Sequence, residues 1–180
     1  LKKAEKEKSP LLYEEFYRLL QLSDDRIRNT AVSAIATMGD RIADRILVDF
    51  DRMPLVVREQ MILVLGRIGG EKVVKTIREC LAAKERWLRI NAVEACSSLG
   101  SPELEAELIS ILRNSETDIW VRATAVSALG RAKSAKAVDV IASQLRHEDA
   151  RVRANAVEAL SELGWPQLPE ACHKLLHDRN

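Results

Sequence analysis

The chain has 180 residues, of which 47% are hydrophobic and only 4% aromatic, so alanine and branched aliphatic side chains must fill its core. Its 28 basic and 27 acidic residues leave a formal charge of +1, which argues against a protein dedicated to binding phosphate backbones. Its 3 cysteines argue against a disulfide scaffold, and no apolar run approaches the roughly 20 residues that span a bilayer.

Two kinds of apolar-periodic stretch alternate along the chain. The shorter ones are LLYEEFYRLLQL, DRIADRILVDF, EKVVKTIRECLAA, PELEAELISILRN and AKAVDVIASQLRH. The longer ones that follow them include DDRIRNTAVSAIATMG, ERWLRINAVEACSSLG, TDIWVRATAVSALGRAK and DARVRANAVEALSELG. Both kinds have the spacing of an amphipathic α-helix, so the pattern predicts repeated pairs of helices.

The longer stretches align on an arginine that follows an apolar residue. The aligned residues are Arg28, Arg58, Arg89, Arg122 and Arg153, with spacings of 30, 31, 33 and 31 residues. Apolar or small side chains stand one residue before the arginine and three, four and seven residues after it, which is one face of a helix. In the last copy these residues are Val152, Ala156, Val157 and Leu160, and we predict that they lie in the shared core. Most copies end in glycine, whereas Lys133 takes that place in one of them. Glycine readily adopts the left-handed conformation that ends a helix.

An acidic residue precedes most of the aligned arginines by four positions. These residues are Asp24, Glu85, Asp118 and Asp149, and the second copy has Pro54 instead. An acid at a helix start accepts hydrogen bonds from free backbone N–H groups. We predict that these acids and the five arginines form a structural ladder between repeats rather than a phosphate-binding column.

The second helix, read as acidic-x-x-V-R-x-x-A-V-x-A-L-x-x-x-G, resembles the HEAT repeat. It is similar in particular to the short bacterial HEAT-like repeats of phycobilisome-lyase relatives. The resemblance implies an all-α fold, a right-handed α-solenoid (superhelix) of stacked two-helix repeats. A tetratricopeptide array is rejected because its tryptophan, glycine-tyrosine and alanine-phenylalanine pattern is absent.

We expect a single domain over residues 1–180. Its repeats are predicted at about 10–39, 40–69, 70–100, 101–133 and 134–164, with a partial sixth unit at 165–180. The partial unit and the missing initiator methionine suggest a fragment of a longer bacterial protein. The irregular spacings favour a natural sequence over an engineered array.

The resemblance also implies that the second helices line a concave face. Positions two, five and nine residues after the arginine point away from the apolar face and, apart from Leu63, carry polar or charged side chains. The predicted partner-binding residues of this face are Asn91, Glu94, Thr124, Ser127, Arg131, Asn155, Glu158 and Glu162. The alternative is that they form an ordinary solvated surface.

Two tryptophans mark a second predicted contact zone. Trp87 and Trp120 each stand two residues before the aligned arginine, in adjacent repeats, so stacking would bring them near one another. Tryptophan is enriched at binding hot spots. The alternative is that the pair fills gaps along the edge formed by the turns.

Little in the sequence supports catalysis, so we expect no catalytic residue, metal or cofactor. His173 and His177 would supply two metal ligands at most, and no cysteine has a base partner at a suitable spacing. The favoured hypothesis is a non-enzymatic scaffold, cytoplasmic and monomeric as a fragment, that binds a protein or peptide and neither nucleic acid nor membrane. Two rivals are binding of duplex DNA, as in HEAT-like DNA glycosylases, and chromophore handling like that of a phycobilin lyase.

Overall fold

The structure, a computed structural model, describes the backbone of residues 12–177 and the side chains of residues 12–174. Over that range every regular element is a helix. The α-helices are α1 (12–19), α2 (Asp25–Ala36), α3 (Asp40–Asp49), α4 (Leu55–Ile68), α5 (Glu71–Leu81), α6 (Arg86–Leu99), α7 (Pro102–Arg113), α8 (Ile119–Arg131), α9 (Val138–Gln144), α10 (Ala150–Glu162) and α11 (Leu168–His177). Short 3₁₀ turns occupy Phe50–Arg52 and Ala135–Ala137. The predicted all-α class built from two-helix repeats is confirmed.

The helices group into two compact units, Leu1–Ala95 and Cys96–Asn180. In the first unit, α2 packs on α4, and α3 packs on α4 and α5. In the second, α8 packs on α10, α7 packs on α8 and α9, and α9 packs on α10. Each unit therefore has a layer of first helices and a layer of second helices, because a two-helix repeat buries its apolar stripe only against its neighbours.

Acidic side chains start several second helices, as the sequence predicted. The Asp24 carboxylate accepts a hydrogen bond from the Arg26 backbone N–H at 2.8 Å, and Asp149 accepts one from Arg151 at 2.9 Å. Asp118 does the same for the N–H of Trp120, also at 2.9 Å. These bonds satisfy backbone donors that have no partner inside the helix.

The ends of α8 and α10 show that one backbone geometry serves both glycine and lysine. Gly164 follows α10 with a φ of 65°, and Lys133 follows α8 with a φ of 52°. The next residue donates back to the carbonyl five positions earlier in both, from Ser134 to Leu129 and from Trp165 to Leu160. Lysine thus ends α8 as glycine ends α10, although a left-handed conformation costs a non-glycine residue roughly 1 kcal/mol.

The predicted apolar columns form the core, with one exception. Val32, Ile62, Val93 and Val126, four residues after their arginines, are fully buried. Val157 occupies the same position in α10 but is 37% exposed, so its assignment to the core was wrong. Val126 lies on α8, which packs against the following second helix α10, whereas within residues 12–177 α10 is followed only by the first helix α11.

Successive second helices approach closely where glycine meets alanine. A Cβ added at Gly66 in α4 would lie 2.6 Å from the Cβ of Ala95 in α6, and 2.7 Å from its Cα. In the second unit, a Cβ at Gly130 in α8 would lie at the same distances from Ala159 in α10. Both pairs occupy the same repeat positions, so missing side chains set the helix separation in each unit.

Replacing Gly130 with alanine is expected to destabilise the protein. The new Cβ collides with backbone atoms of α10, and such overpacking costs about 1–3 kcal/mol. This outcome is diagnostic, because glycine to alanine inside a helix otherwise stabilises by up to about 1 kcal/mol. Urea unfolding followed by circular dichroism measures the change.

The matched control is Ser161→Ala, at the equivalent position of α10, where the side chain is exposed. Its free energy of unfolding should stay within about 0.5 kcal/mol of the parent. Equal or higher stability of Gly130→Ala would contradict the close helix contact.

Candidate functional site

Three of the five aligned arginines bind the turns that connect the two helices of their own repeats. Arg122 is only 5% exposed and donates to the Leu112 carbonyl at 2.8 Å and to the carbonyl of Asn114. It also donates to the Gln144 side chain on α9 at 3.1 Å, which joins one repeat to the next. Burial lowers the pKa of the Arg122 guanidinium through desolvation.

Two other arginines of the column follow the same rule. Arg153 donates to the His147 carbonyl at 2.7 Å and to the Glu148 carbonyl at 2.6 Å. Arg28 donates to the Leu22 carbonyl at 2.6 Å and pairs with Asp25 in its own helix. These carbonyls lie where a first helix has ended and left its acceptors without helical partners.

The predicted acid–arginine ladder between repeats is therefore wrong for Arg28, Arg122 and Arg153. Asp24 and Asp149 cap their own helices instead. The geometry favours the carbonyls, because the guanidinium lies beside the turn of its own repeat. Within residues 12–174, the Nε atoms of Arg58 and Arg89 are buried and have no hydrogen-bond partner.

Part of the predicted polar face is occupied by internal hydrogen bonds. The Asn91 amide donates to the Glu59 carbonyl of α4 at 2.6 Å, and the Asn155 amide donates to the Ala123 carbonyl of α8 at 2.9 Å. The Thr124 hydroxyl donates to a carbonyl of its own helix at 2.8 Å. The two asparagines thus join successive second helices.

The second unit brings several predicted binding residues together. A cleft of about 60 Å³ is lined by Ser127, Arg131, Asn155, Glu158, Ala159 and Glu162. This surface is a small cleft that can contact a partner.

The first unit contains a larger groove along its second helices, of about 470 Å³. Its lining residues are Asp25, Arg28 and Asn29 from α2, Glu59, Gln60 and Leu63 from α4, and Trp87 and Asn91 from α6. We call it the Trp87 groove. Among the predicted partner-binding residues, Trp87 and Asn91 line it.

One repeat position in the sequence distinguishes two further residues of this groove. The position directly after the aligned arginine is polar in the first two copies, as Asn29 and Glu59. It is apolar in the last three, as Ile90, Ala123 and Ala154. The repeat therefore accepts either a polar or an apolar side chain at this position. A polar side chain that occurs only in two adjacent copies indicates a polar surface patch on those two helices.

Glu59 contributes a partly buried carboxyl group to the Trp87 groove. Burial raises the pKa of its carboxyl group, Arg28 and Arg58 oppose that rise, and Glu85 adds to it. Arg28 already donates to Leu22 and Asp25. The Glu59 carboxylate makes no hydrogen bond or ion pair within the described part of the chain, so it is partly desolvated without a direct partner.

The two predicted edge tryptophans have different surroundings. Trp87 is 58% exposed at the groove, and Trp120 is 45% exposed on α8. The Arg151 guanidinium carbon lies 3.8 Å from the centre of the Trp120 ring. Arg151 also contacts Asp149 through Nε at 3.3 Å and through a terminal nitrogen at 3.1 Å.

Another cleft, of about 500 Å³, lies between the first helices α9 and α11. It is lined in part by Leu145 and Trp165, and its charged residues are Arg146, Glu170 and Lys174, of which the last two pair at 2.7 Å. It contains none of the predicted partner-binding residues.

Nucleophilic and metal chemistry have little support in the described residues. Burial raises the pKa values of the Cys80 and Cys96 thiols to about 12, so both are protonated at neutral pH. No group of three or more metal-ligating side chains occurs there. Likewise, none of the described helices is long and apolar enough to cross a membrane.

A family model of HEAT repeats matches residues 50–119 and 105–179, which together cover well over half of the chain. The chain belongs to the HEAT-repeat family. No curated protein sequence matches it. The recognition made from the repeated second helix is thereby confirmed.

This HEAT-repeat protein is also similar to a solved structure. That structure is the complex of CpcE and CpcF of phycocyanin lyase from Nostoc sp. PCC7120. The TM-score is 0.65 at 21% identity, over 93% of this chain and 71% of that chain. At this identity the similarity establishes the fold alone.

Replacing Arg122 with methionine is expected to lower the free energy of unfolding by about 3 kcal/mol. Methionine fills similar space but leaves the buried Leu112 carbonyl and the partly buried Asn114 carbonyl without their donor. Chemical denaturation measures the loss. Arg113→Met is the control because Arg113 is exposed on α7, and a comparable loss there would refute the turn-binding role.

Thiol reactivity tests the buried cysteines. Native protein at pH 8 should react with Ellman's reagent at Cys172 alone, and unfolded protein at all 3 cysteines. Because folding raises the pKa values of Cys80 and Cys96 from 9.0 to about 12, their protonated forms favour the fold below pH 9. That contribution should disappear as the pH rises towards 12. Rapid native labelling of Cys80 or Cys96 would contradict their burial.

Proposed function

We propose that this HEAT-repeat chain is an interaction scaffold that binds a protein or peptide partner along its second helices. The main contact is the Trp87 groove of the first unit. The observation that carries the proposal is an exposed tryptophan beside a groove of about 470 Å³ whose walls mix amides, charges and one leucine.

The composition of the groove suits an extended peptide. The amides of Asn29 and Gln60 both donate and accept, as the N–H and C=O groups of a peptide backbone require. Trp87 offers a large rigid surface of the kind that dominates binding energy at interfaces. The volume falls within the range of roughly 300–1,000 Å³ that is usual for ligand sites.

Other predicted residues offer polar contacts within each unit. Glu94 on α6 belongs to the first unit, and the small cleft that contains Ser127, Arg131, Glu158 and Glu162 belongs to the second. Trp120 adds an aromatic edge on α8. The similar chain from Nostoc was solved in a complex of two proteins, which supports protein binding by this fold.

The use of the arginine column favours protein binding over nucleic-acid binding. Arg122 is almost fully buried, and both Arg122 and Arg153 donate to backbone carbonyls. Guanidinium groups engaged in this way are poorly placed to neutralise phosphates. The three free cysteines support a cytoplasmic setting, where thiols stay reduced.

Panning a random peptide library against the intact chain tests the proposal. We expect enriched peptides whose affinity falls about tenfold or more in Trp87→Ala, because truncation removes the anchor surface. Fluorescence polarisation of the labelled peptides measures the affinity, and circular dichroism confirms that the variant is folded.

The control variant is Val48→Ala, which shortens an exposed apolar side chain on the first helix α3. It should leave every selected peptide bound. Failure to enrich any peptide, or equal binding to the parent and Trp87→Ala, would overturn the proposal.

A further inference from the structure

We infer that the Trp87 groove receives an arginine or lysine side chain of the partner, with the cation on the Trp87 ring and beside the Glu59 carboxylate. The inference rests on the proposed function and names the chemistry that the partner must present. Four observations lead to it.

The second unit shows a cation stacked on a tryptophan at the same repeat position as Trp87, although that cation comes from the following repeat and the Trp87 groove lies beside the preceding second helices. In the second unit, Arg151 stacks on Trp120 at 3.8 Å while the Asp149 carboxylate holds its guanidinium. Trp120 and Arg151 both stand two residues before an aligned arginine, in successive repeats. Tryptophan at this position thus supports a stacked guanidinium that a carboxylate orients.

Trp87 has the same position in its own repeat and is more exposed than Trp120. In the preceding repeats of its unit, that position holds Arg26 and Val56. The Trp87 ring borders the groove together with the carboxylates of Asp25 and Glu59. An aromatic face and an acid therefore occur together again, here at a site open to a ligand.

The balance of charge in the groove favours a cation over an anion. The groove is lined by two carboxylates and one guanidinium. That guanidinium, Arg28, is engaged by Asp25 and by the Leu22 carbonyl. Glu59 makes no direct ion pair with the described residues; the charges of Arg28 and Arg58 act on it from a distance, and Glu85 adds negative charge near it. A ligand cation would compensate a carboxylate that is costly to leave partly buried alone.

The remaining walls match the rest of a long basic side chain. Leu63 offers apolar surface to the methylene stem. The side-chain oxygens of Asn29 and Gln60 can accept hydrogen bonds from the N–H groups of a guanidinium. Arginine presents five such donors and stacks well on aromatic rings, so it is the better of the two occupants.

The test uses single-residue probes and the indole N–H signals of the intact chain. N-acetyl-arginine methylamide should shift the Trp87 signal in a saturable way, and the lysine derivative should do so more weakly. The citrulline derivative has nearly the same shape without charge, so it should cause little shift. In the parent, Trp120 should respond far less, because Arg151 already covers it.

Two substitutions assign the effect to the named groups. Glu59→Gln should weaken binding of the arginine probe about fivefold, as the loss of a partly exposed ion pair does. Trp87→Leu keeps apolar surface but removes the aromatic face, and it should weaken binding by a similar factor. Arg151→Ala serves as the positive control, because it uncovers Trp120 and should make that signal respond to the same probe.

An equal response to the citrulline and arginine probes, or unchanged affinity in Glu59→Gln, would overturn the inference. Peptides selected through Trp87 that need no basic residue would overturn it too, yet they would leave the proposed function intact. The two proposals can also fail in the opposite order. A specific arginine response without any enriched peptide would support the cation site and count against the scaffold role.

Discussion

The close contact between successive second helices is the constraint on which both units depend. At Gly66 against Ala95 and at Gly130 against Ala159, the helices approach until no room for a Cβ remains. A two-helix repeat cannot bury its apolar stripe alone, so this contact turns separate repeats into a packed layer. The same approach lets Asn91 and Asn155 reach carbonyls on the preceding second helix. Packing and polar contacts between repeats thus have one geometric origin.

A second consequence of stacking is that many polar residues that recur at the same repeat position stabilise the fold. Arg28, Arg122 and Arg153 satisfy carbonyls at the ends of first helices, and Arg122 shows this most fully because its side chain is almost completely buried. Acidic residues such as Asp149 satisfy the starts of second helices. Polar residues that recur between repeats thus bind the backbone groups that each helix end leaves without a partner. The groups left for binding are therefore those that differ between copies, such as Trp87 and Glu59.

The Trp87 groove and the Trp120–Arg151 pair illustrate how one repeat position can serve two purposes. On α8 the tryptophan is covered by an arginine of the same chain, and the result is a structural contact. At the groove the ring is exposed and stands with a carboxylate that lacks a direct partner. The proposed role in binding a basic side chain follows from that difference.

The sequence by itself determined the helices, their pairing, their capping residues and the HEAT-repeat family, because each depends on periodicity or on local backbone chemistry. It placed Val157 in the core and joined the arginines to acids of neighbouring repeats, and both assignments failed. Exposure at Val157 depends on whether another second helix covers it, and the partners of Arg122 depend on which groups the turn brings near. The glycine contacts and the membership of Asp25, Asn29 and Glu59 in one groove arise from residues about 30 positions apart in the chain. Only the tertiary structure decided these features, because they depend on the distance and rotation between stacked helices rather than on the pattern within any one helix.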